Sequence, residues 1–433
     1  GFSKCDGVQI GSATTQQVCE EYATRRRQFK RAQLNWRVSN PRSSKYSLGW
    51  IPFKARAARY KAGQVHFAGL KLSLWDSFGL SLYELRAGSI SEDSRGRWYL
   101  NVQVKVPELI GPRLQRAGFI DKKSPYTAPT GTPVETLEQA LAQIDDYAGK
   151  GYQQVKIYSS IPPEWVAPMA ERMHGHGMRL SGHIPAFMTA EEAVRAGFDE
   201  IQHINMLFLN FVAEADTDTR TPARFMKVAE EGGKLDLDSD EVRAFIALLK
   251  ERDIVVDPTV AIFEQMFRHR AGEISPILSS VVEHLPPSVQ RGARAGEIDI
   301  NDSNAAAYAA SADALLGLVR RLHEAGVRLV PGTDGIVGFT LHRELELYAQ
   351  AGIPNAEVIR LATSSAADIA DTGTPVGRIS PGQAADLLVV DGNPLEDISD
   401  LRRGVLVVRG DRVHRPAAIF RSLGIKPFVE AIP

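Results

Sequence analysis

The sequence predicts an α/β protein, a (β/α)8 TIM-type barrel followed by a small β module. Three observations predict it. From Val134 onward, strand-like apolar runs alternate with segments of helical periodicity, the pattern of a parallel sheet covered by helices. After Thr374 the texture changes to short β-branched runs broken by Gly, Pro, Asp and Asn. The length, 433 residues with 44% hydrophobic and 24% charged, suits one large domain and a smaller module. These give three regions: an atypical basic segment over 1–70, the barrel over 71–374, and a C-terminal β module with its tail over 375–433.

The elements follow in order. VETLEQALAQIDDYAGKG (Val134–Gly151) has helical spacing and stops at Gly, and YQQVKIYSS (Tyr152–Ser160) reads as a strand. PPEWVAPMAERMHGHG starts a helix with its two prolines, and MRLSGHI is the next strand. TAEEAVRAG opens with Thr189 as N-cap, followed by the strand FDEIQHI. SDEVRAFIALLKERD is helix and IVVDPTVAIF strand; ADALLGLVRRLHEAG is helix and VRLVPGTDG strand. LHRELELYAQAG and NAEVIRLATSSAADIAD are helices. Before residue 100 periodicity is poor, and Glu108–Gly131 is a long segment rich in Gly and Pro.

Composition narrows the function. No apolar run is long enough for a transmembrane helix, so no membrane partner is expected. The start shows no basic stretch leading into an apolar one, so no signal peptide is expected, and a processed start at Gly1 stays open. Cys5 and Cys19 are the only cysteines, which excludes a cysteine-based zinc site. No Gly-rich phosphate-binding motif follows any strand. Residues 1–70 hold 13 Lys and Arg against 3 Asp and Glu, densest in TRRRQFKR (Thr24–Arg31). This reads as a solvated helix face or tail in preference to an anion-binding arm, and no nucleic-acid partner is expected.

In a (β/α)8 barrel, side chains at the C-terminal strand ends converge on one mouth. Lys156 in VKIY, His183 in SGHI, His203 in IQHI and Asp334 in PGTDG fall there. Each alone is consistent with a hydrogen-bonded core residue, a paired lysine or a common turn. Together they form a set suited to a borderline divalent metal such as zinc, with an aspartate to take a proton from water. Tyr158 shares the strand face of Lys156 and is a candidate for substrate contact. His342, Arg343 and Glu344 are candidates for supporting the site or for a plain helix face. His174 and His176 near a helix end read as structural.

The stretches VKIY, SGHIPAFMTAEEAVRAGFDEIQHIN, LVPGTDG and IRLATSSAADIADTGTPVGRISPGQAADLLVVDGNPLEDI together resemble the metal-dependent amidohydrolase superfamily, in its imidazolonepropionase- and prolidase-like branch. The resemblance covers about residues 105–415. It implies a barrel carrying a small β-sandwich and hydrolysis of amide-type C–N bonds in a small molecule: an N-acyl amino acid, a dipeptide or a cyclic amide. It implies a carbamylated Lys156 bridging two metals, His183 and His203 on the deeper metal, and Asp334 as ligand to the other and as base. The family's first strand ends in His-x-His. Here the equivalent stretch is LWDSFGLS (Leu74–Ser81), with Phe78 and Leu80 at the histidine positions, and LRAGSISEDSRG (Leu85–Gly96) is weakly similar to the helix end and second strand that follow. The expectation is therefore one zinc ion, held by Lys156, His183 and His203. The alternative is a barrel that lost its chemistry and binds a small ligand or a protein.

Overall fold

The computed structural model describes residues 12–28, 50–54, 57–61, 63–74, 84–92, 98–105, 114–335, 338–371 and 373–430. Phe78 and Leu80 lie outside the described residues. The chain forms two compact units, Gly1–Gly111 and Pro112–Pro433.

The first unit holds helix α1 (Ser12–Gln28) and six strands: β1 (Trp50–Phe53), β2 (Ala58–Lys61), β3 (Gln64–Phe67), β4 (Leu70–Ser73), β5 (Glu84–Glu92) and β6 (Trp98–Lys105). All pair antiparallel, in the orders β1-β5-β6 and β2-β3-β4. Alternation buries Val65 and Phe67 of β3 with Phe53, Ala58 and Ile90. The stretch from Leu85 was expected to pass from a helix end into a second barrel strand. Glu84–Glu92 is instead one antiparallel strand, because Ile90 faces this small core and the partners on both sides run against it. Arg26 and Arg27 of the basic cluster are exposed on α1, as a solvated helix face requires.

The second unit is built on a parallel sheet of β7 (Gly118–Lys122), β8 (Thr132–Val134), β9 (Gln154–Ile157), β10 (Arg179–Gly182), β11 (Glu200–Gln202), β12 (Val255–Asp257) and β13 (Arg328–Leu329), in the order β13-β12-β11-β10-β9-β7-β8. The helices are α2 (Leu137–Gly149), α3 (Pro163–Gly175), α4 (Ala190–Arg195), α5 (Ile204–Val212), α6 (Ala223–Glu231), α7 (Asp240–Glu251), α8 (Val260–Arg268), α9 (Pro287–Gly292), α10 (Ala305–Ala325), α11 (Thr340–Gln350), α12 (Asn355–Arg360) and α13 (Ala366–Ala370). This is the α/β layering the sequence predicts. Among the described residues the sheet has seven strands and no antiparallel pair, and neither barrel closure nor a β-sandwich is seen. After Thr374 the chain forms a three-stranded antiparallel sheet, β14 (Asp386–Val390), β15 (Gly404–Arg409) and β16 (Arg412–His414), and ends in helix α14 (Pro416–Ser422).

Period-two burial explains the sheet. In β9, Val155 and Ile157 are fully buried toward the covering helices, while Gln154 and Lys156 take the other face. Met169 and Met173 of α3, Leu180, Ile201 and Val256 continue one apolar core. Thr189 caps α4 as expected, its hydroxyl accepting from the Glu192 N–H in a reciprocal capping box. Two expectations change. The strand over Ile254–Phe263 ends at Asp257, because Pro258 cannot donate to the ladder and Thr259 turns left-handed at φ +47°; Val260–Arg268 is helix, burying Phe263 and Phe267. The helix expected from Asn355 to Asp371 is interrupted by a π turn at Leu361–Ser365.

Among the described residues no helix is long and apolar enough to cross a membrane.

Candidate functional site at the strand ends

Register brings the site together. Lys156 of β9 lies opposite Ser181 of β10, and Ser181 opposite Glu200 of β11. His183 and His203 each stand one residue beyond the C-terminal end of their strand. Their ring centroids are 4.6 Å apart at an interplanar angle of 85°. His203 Nε2 lies 3.8 Å from Asp334 Oδ2. The Tyr158 ring packs 3.9 Å from that of His183, and Lys156 Nζ is 5.8 Å from the Tyr158 ring. The five residues singled out in the sequence therefore meet at one end of the sheet.

Both imidazoles are buried and tethered through Nδ1. His203 Nδ1 is 2.8 Å from Thr259 Oγ1, and His183 Nδ1 is 3.4 Å from Ser159 Oγ. Either contact leaves Nε2 as the nitrogen for a metal. Burial, then the Lys156 and Arg224 cations, push His203 down to about 3. Burial pushes His183 well below the usual histidine range, with His203, Lys156 and Arg224 acting the same way. Both rings are thus neutral near pH 7, the form that ligates a metal. Burial also lowers Lys156, against the pull of Asp334, Asp257 and Glu200. Asp334 is the accessible member, its side chain 62% exposed, and its backbone is left-handed at φ +40°. Two neutral imidazoles, a depressed lysine and a facing carboxylate fit a metal once the lysine is carbamylated. Among the described residues, His, Cys, Asp and Glu alone supply no group of three placed to hold an ion.

Sequence reasoning missed Asp257, Thr259 and Asp121 as supporting residues; Glu344 it named, with a plain helix face as the alternative. Asp257 ends β12, and its Oδ1 is buried without a hydrogen-bond partner. Burial, with Glu200 and Glu344 nearby, raises its carboxyl well above the usual range. A Cβ on Gly332 would fall 1.9 Å from that oxygen, so the Gly of PGTDG is needed for close approach. Glu344, one of three helix-face candidates, takes backbone N–H groups from Val260 at 3.0 Å and Ala261 at 2.8 Å. It thereby pins the start of α8 beside Thr259, the partner of His203. Arg343 instead pairs with Glu264 of α8 at 2.6 Å and with Glu346 at 3.2 Å. Asp121 accepts from the N–H groups of Ser160, Lys122 and Ala128 and holds the turn next to Ser159. His174 and His176 bond Asp199 and Asp145, as structural residues do. Of these, only Asp257 and Thr259 had a local signal, the DPT sequence breaking the strand run.

Residues 282–413, which hold Asp334, Glu344 and β13–β15, match the amidohydrolase family. Among solved structures the chain is similar to bottromycin amidohydrolase, at 20% identity and a TM-score of 0.51 over 73% of this chain and 69% of that one. It is also similar to a Xaa-Pro dipeptidase with methionine bound in its active site, at 19% identity and a TM-score of 0.46 over 71% of this chain and 69% of that one. An ochratoxinase of A. niger matches at 19% identity and a TM-score of 0.45 over 69% of this chain and 60% of that one. The first of these likenesses shows a shared α/β fold. No curated protein sequence matches the chain.

Proposed function

We propose that this chain is a metal-dependent hydrolase of amide-type C–N bonds in small molecules. The observation that carries this reading is the convergence of His183, His203 and Asp334 beside Lys156, in a chain whose residues 282–413 match the amidohydrolase family. One zinc ion would be held by carbamylated Lys156, His183 and His203, with Asp334 facing His203 at 3.8 Å. A bound metal of this kind polarises the amide carbonyl and acidifies water.

The chain's own groups do the rest. Only a neutral amine adds CO2 to become a carbamate, losing one proton, and burial of Lys156 enlarges that neutral share. The Ser159 and Thr259 hydroxyls fix the two imidazoles by their Nδ1 atoms. Asp334 takes the proton from the attacking water and returns it to the departing nitrogen. Tyr158, packed on His183, borders the place for the substrate.

A second reading is a barrel that binds but does not react, motivated by Phe78 and Leu80 in LWDSFGLS, which stand where the family pattern has its first two histidines. One panel separates the two. Amides and dipeptides incubated with protein grown in zinc and bicarbonate are expected to be cleaved, and a chelator is expected to stop cleavage. Metal-loaded protein that cleaves none of them sinks the hydrolase reading.

A further inference from the structure

Two arginines, Arg220 and Arg224, stand close together in the sequence after His203, and they differ in one respect. Arg220 is neutralised by its own loop: its Nε and Nη2 each reach an Asp218 carboxylate oxygen at 2.8 Å. Arg224, in the first turn of α6, has no carboxylate partner among the described residues. Its Nη1 reaches only the Thr219 carbonyl at 3.5 Å, and its Nε is buried without a partner. The guanidinium carbon lies 4.5 Å from the Phe225 ring centroid and 5.9 Å from that of Tyr158, so aromatic faces hold it in place. Its charge is felt by His183, His203 and Asp334. A fixed, half-buried cation beside two imidazoles that are to hold a metal cation lacks a counter-charge. A planar fork of donors is matched by a carboxylate.

A cavity of about 350 Å³ shares Thr219 with this cation. Ile184, next to His183, and Met206, in the first turn after His203, line it with Met188 and Leu209. Thr219, whose carbonyl meets Arg224, lines it too. Its two carboxylates are already engaged, Glu192 in the cap of α4 and Glu214 with Lys227 at 2.6 Å. The cavity therefore suits an apolar side chain.

We infer that Arg224 is the receptor for a free carboxylate on the substrate, and that the substrate is an N-acyl amino acid or dipeptide with an apolar side chain and not a cyclic amide. This rests on the hydrolase reading for turnover but not for binding. With a carboxylate on Arg224 and the side chain in the cavity, the scissile amide is left beside His183 and His203.

The test compares N-acetyl-L-leucine with N-acetyl-L-leucinamide, in which a neutral carboxamide of nearly the same shape replaces the carboxylate. Binding to the full-length, zinc-loaded protein is measured by calorimetry, and acetate release is followed in the same samples. The free acid should bind at least about 10-fold more tightly than the carboxamide, the value of one charge-assisted pair. Arg224→Gln should remove that preference while leaving carboxamide binding within about 3-fold, and Arg224→Lys should restore part of it. Equal binding of acid and carboxamide by the unaltered protein, or an equal loss of both in Arg224→Gln, overturns the inference. Preference for the acid with no acetate released supports the carboxylate receptor and counts against the hydrolase reading, so the two fail separately.

Discussion

The ends of β10 and β11 do the same job by different means. His183 is held from behind: its N–H donates to Ile157 of β9 at 3.1 Å, and Ser159 of the same turn reaches its Nδ1. The bend falls on a glycine, Gly182 at φ +131°. His203 is held from ahead: its N–H donates to Asp257 of β12 at 2.7 Å, and Thr259 reaches its Nδ1. Here the bend falls on His203 itself at φ +73° and on Thr259 at φ +47°, both residues that resist it. Glu344 holds that turn from α11, 85 residues beyond Thr259. One histidine rests on the neighbouring strand and its turn, about two dozen residues back, the other on a strained turn kept in place from farther along the chain.

The largest effect should come from breaking the local side. A Cβ at Gly182 would fall 2.1 Å from the Ile157 carbonyl oxygen, at a backbone angle closed to other residues. Gly182→Ala should destabilise the fold by about 4 kcal/mol or more in denaturant unfolding, or abolish soluble expression. A cost under about 1 kcal/mol would show that β9 and β10 are not packed as described.

The next effect probes the distant side through pH. Burial raises Glu344 from 4.5 to about 7, so the folded chain keeps its proton through a window in which the unfolded chain has released it. Its contribution to stability is present below pH 4.5 and is lost as pH rises to about 7. His203, lowered from 6.5 to about 3, has the opposite sign: its contribution is lost as pH falls below 6.5. The difference between the unaltered protein and Glu344→Gln isolates the first. The unaltered protein should lose up to about 3 kcal/mol relative to Glu344→Gln between these limits. Parallel stability curves would contradict the assignment.

Thr259→Val keeps the shape and removes the hydroxyl from His203. It should cost about 1 kcal/mol of stability and about 10- to 100-fold in zinc affinity, measured by competition with a chelator. Ser159→Ala is the matched change at His183. With a contact of 3.4 Å to lose, it should alter zinc affinity by no more than about 3-fold. Equal effects of the two substitutions would erase the contrast between the strand ends.

The same contrast explains what could be read in the sequence. His183 and His203 each close an apolar run, Lys156 sits near the end of its strand and Asp334 in the turn after the last one, so the strand pattern was enough to suggest that they share one end of the sheet. The SGH stretch carried its own glycine, and the turn at His183 is local. Thr259 had only the DPT break, Glu344 only its place in the helix after Asp334, and Arg224 no signal at all. The bonds of Thr259 to His203 across 56 residues and of Glu344 to Val260 across 84 are encoded in no window of a dozen residues. The strand expected through Phe263 failed for a related reason. VAIF is equally apolar in a strand or on a buried helix, and the choice is made by Pro258 and by the left-handed Thr259. Glu84–Glu92 pairs antiparallel because its partners lie on both sides in space, which its own pattern could not reveal.

The central claim is that the two histidine strand ends serve one metal. Elemental analysis tests it directly, on protein expressed with zinc and bicarbonate and freed of loosely bound ions, beside His183→Ala and His203→Ala. The account predicts about one zinc per chain in the unaltered protein and loss of that ion in either variant, with both variants still folded by circular dichroism. Zinc retained at full stoichiometry after either substitution, or none bound by the unaltered protein, would contradict it.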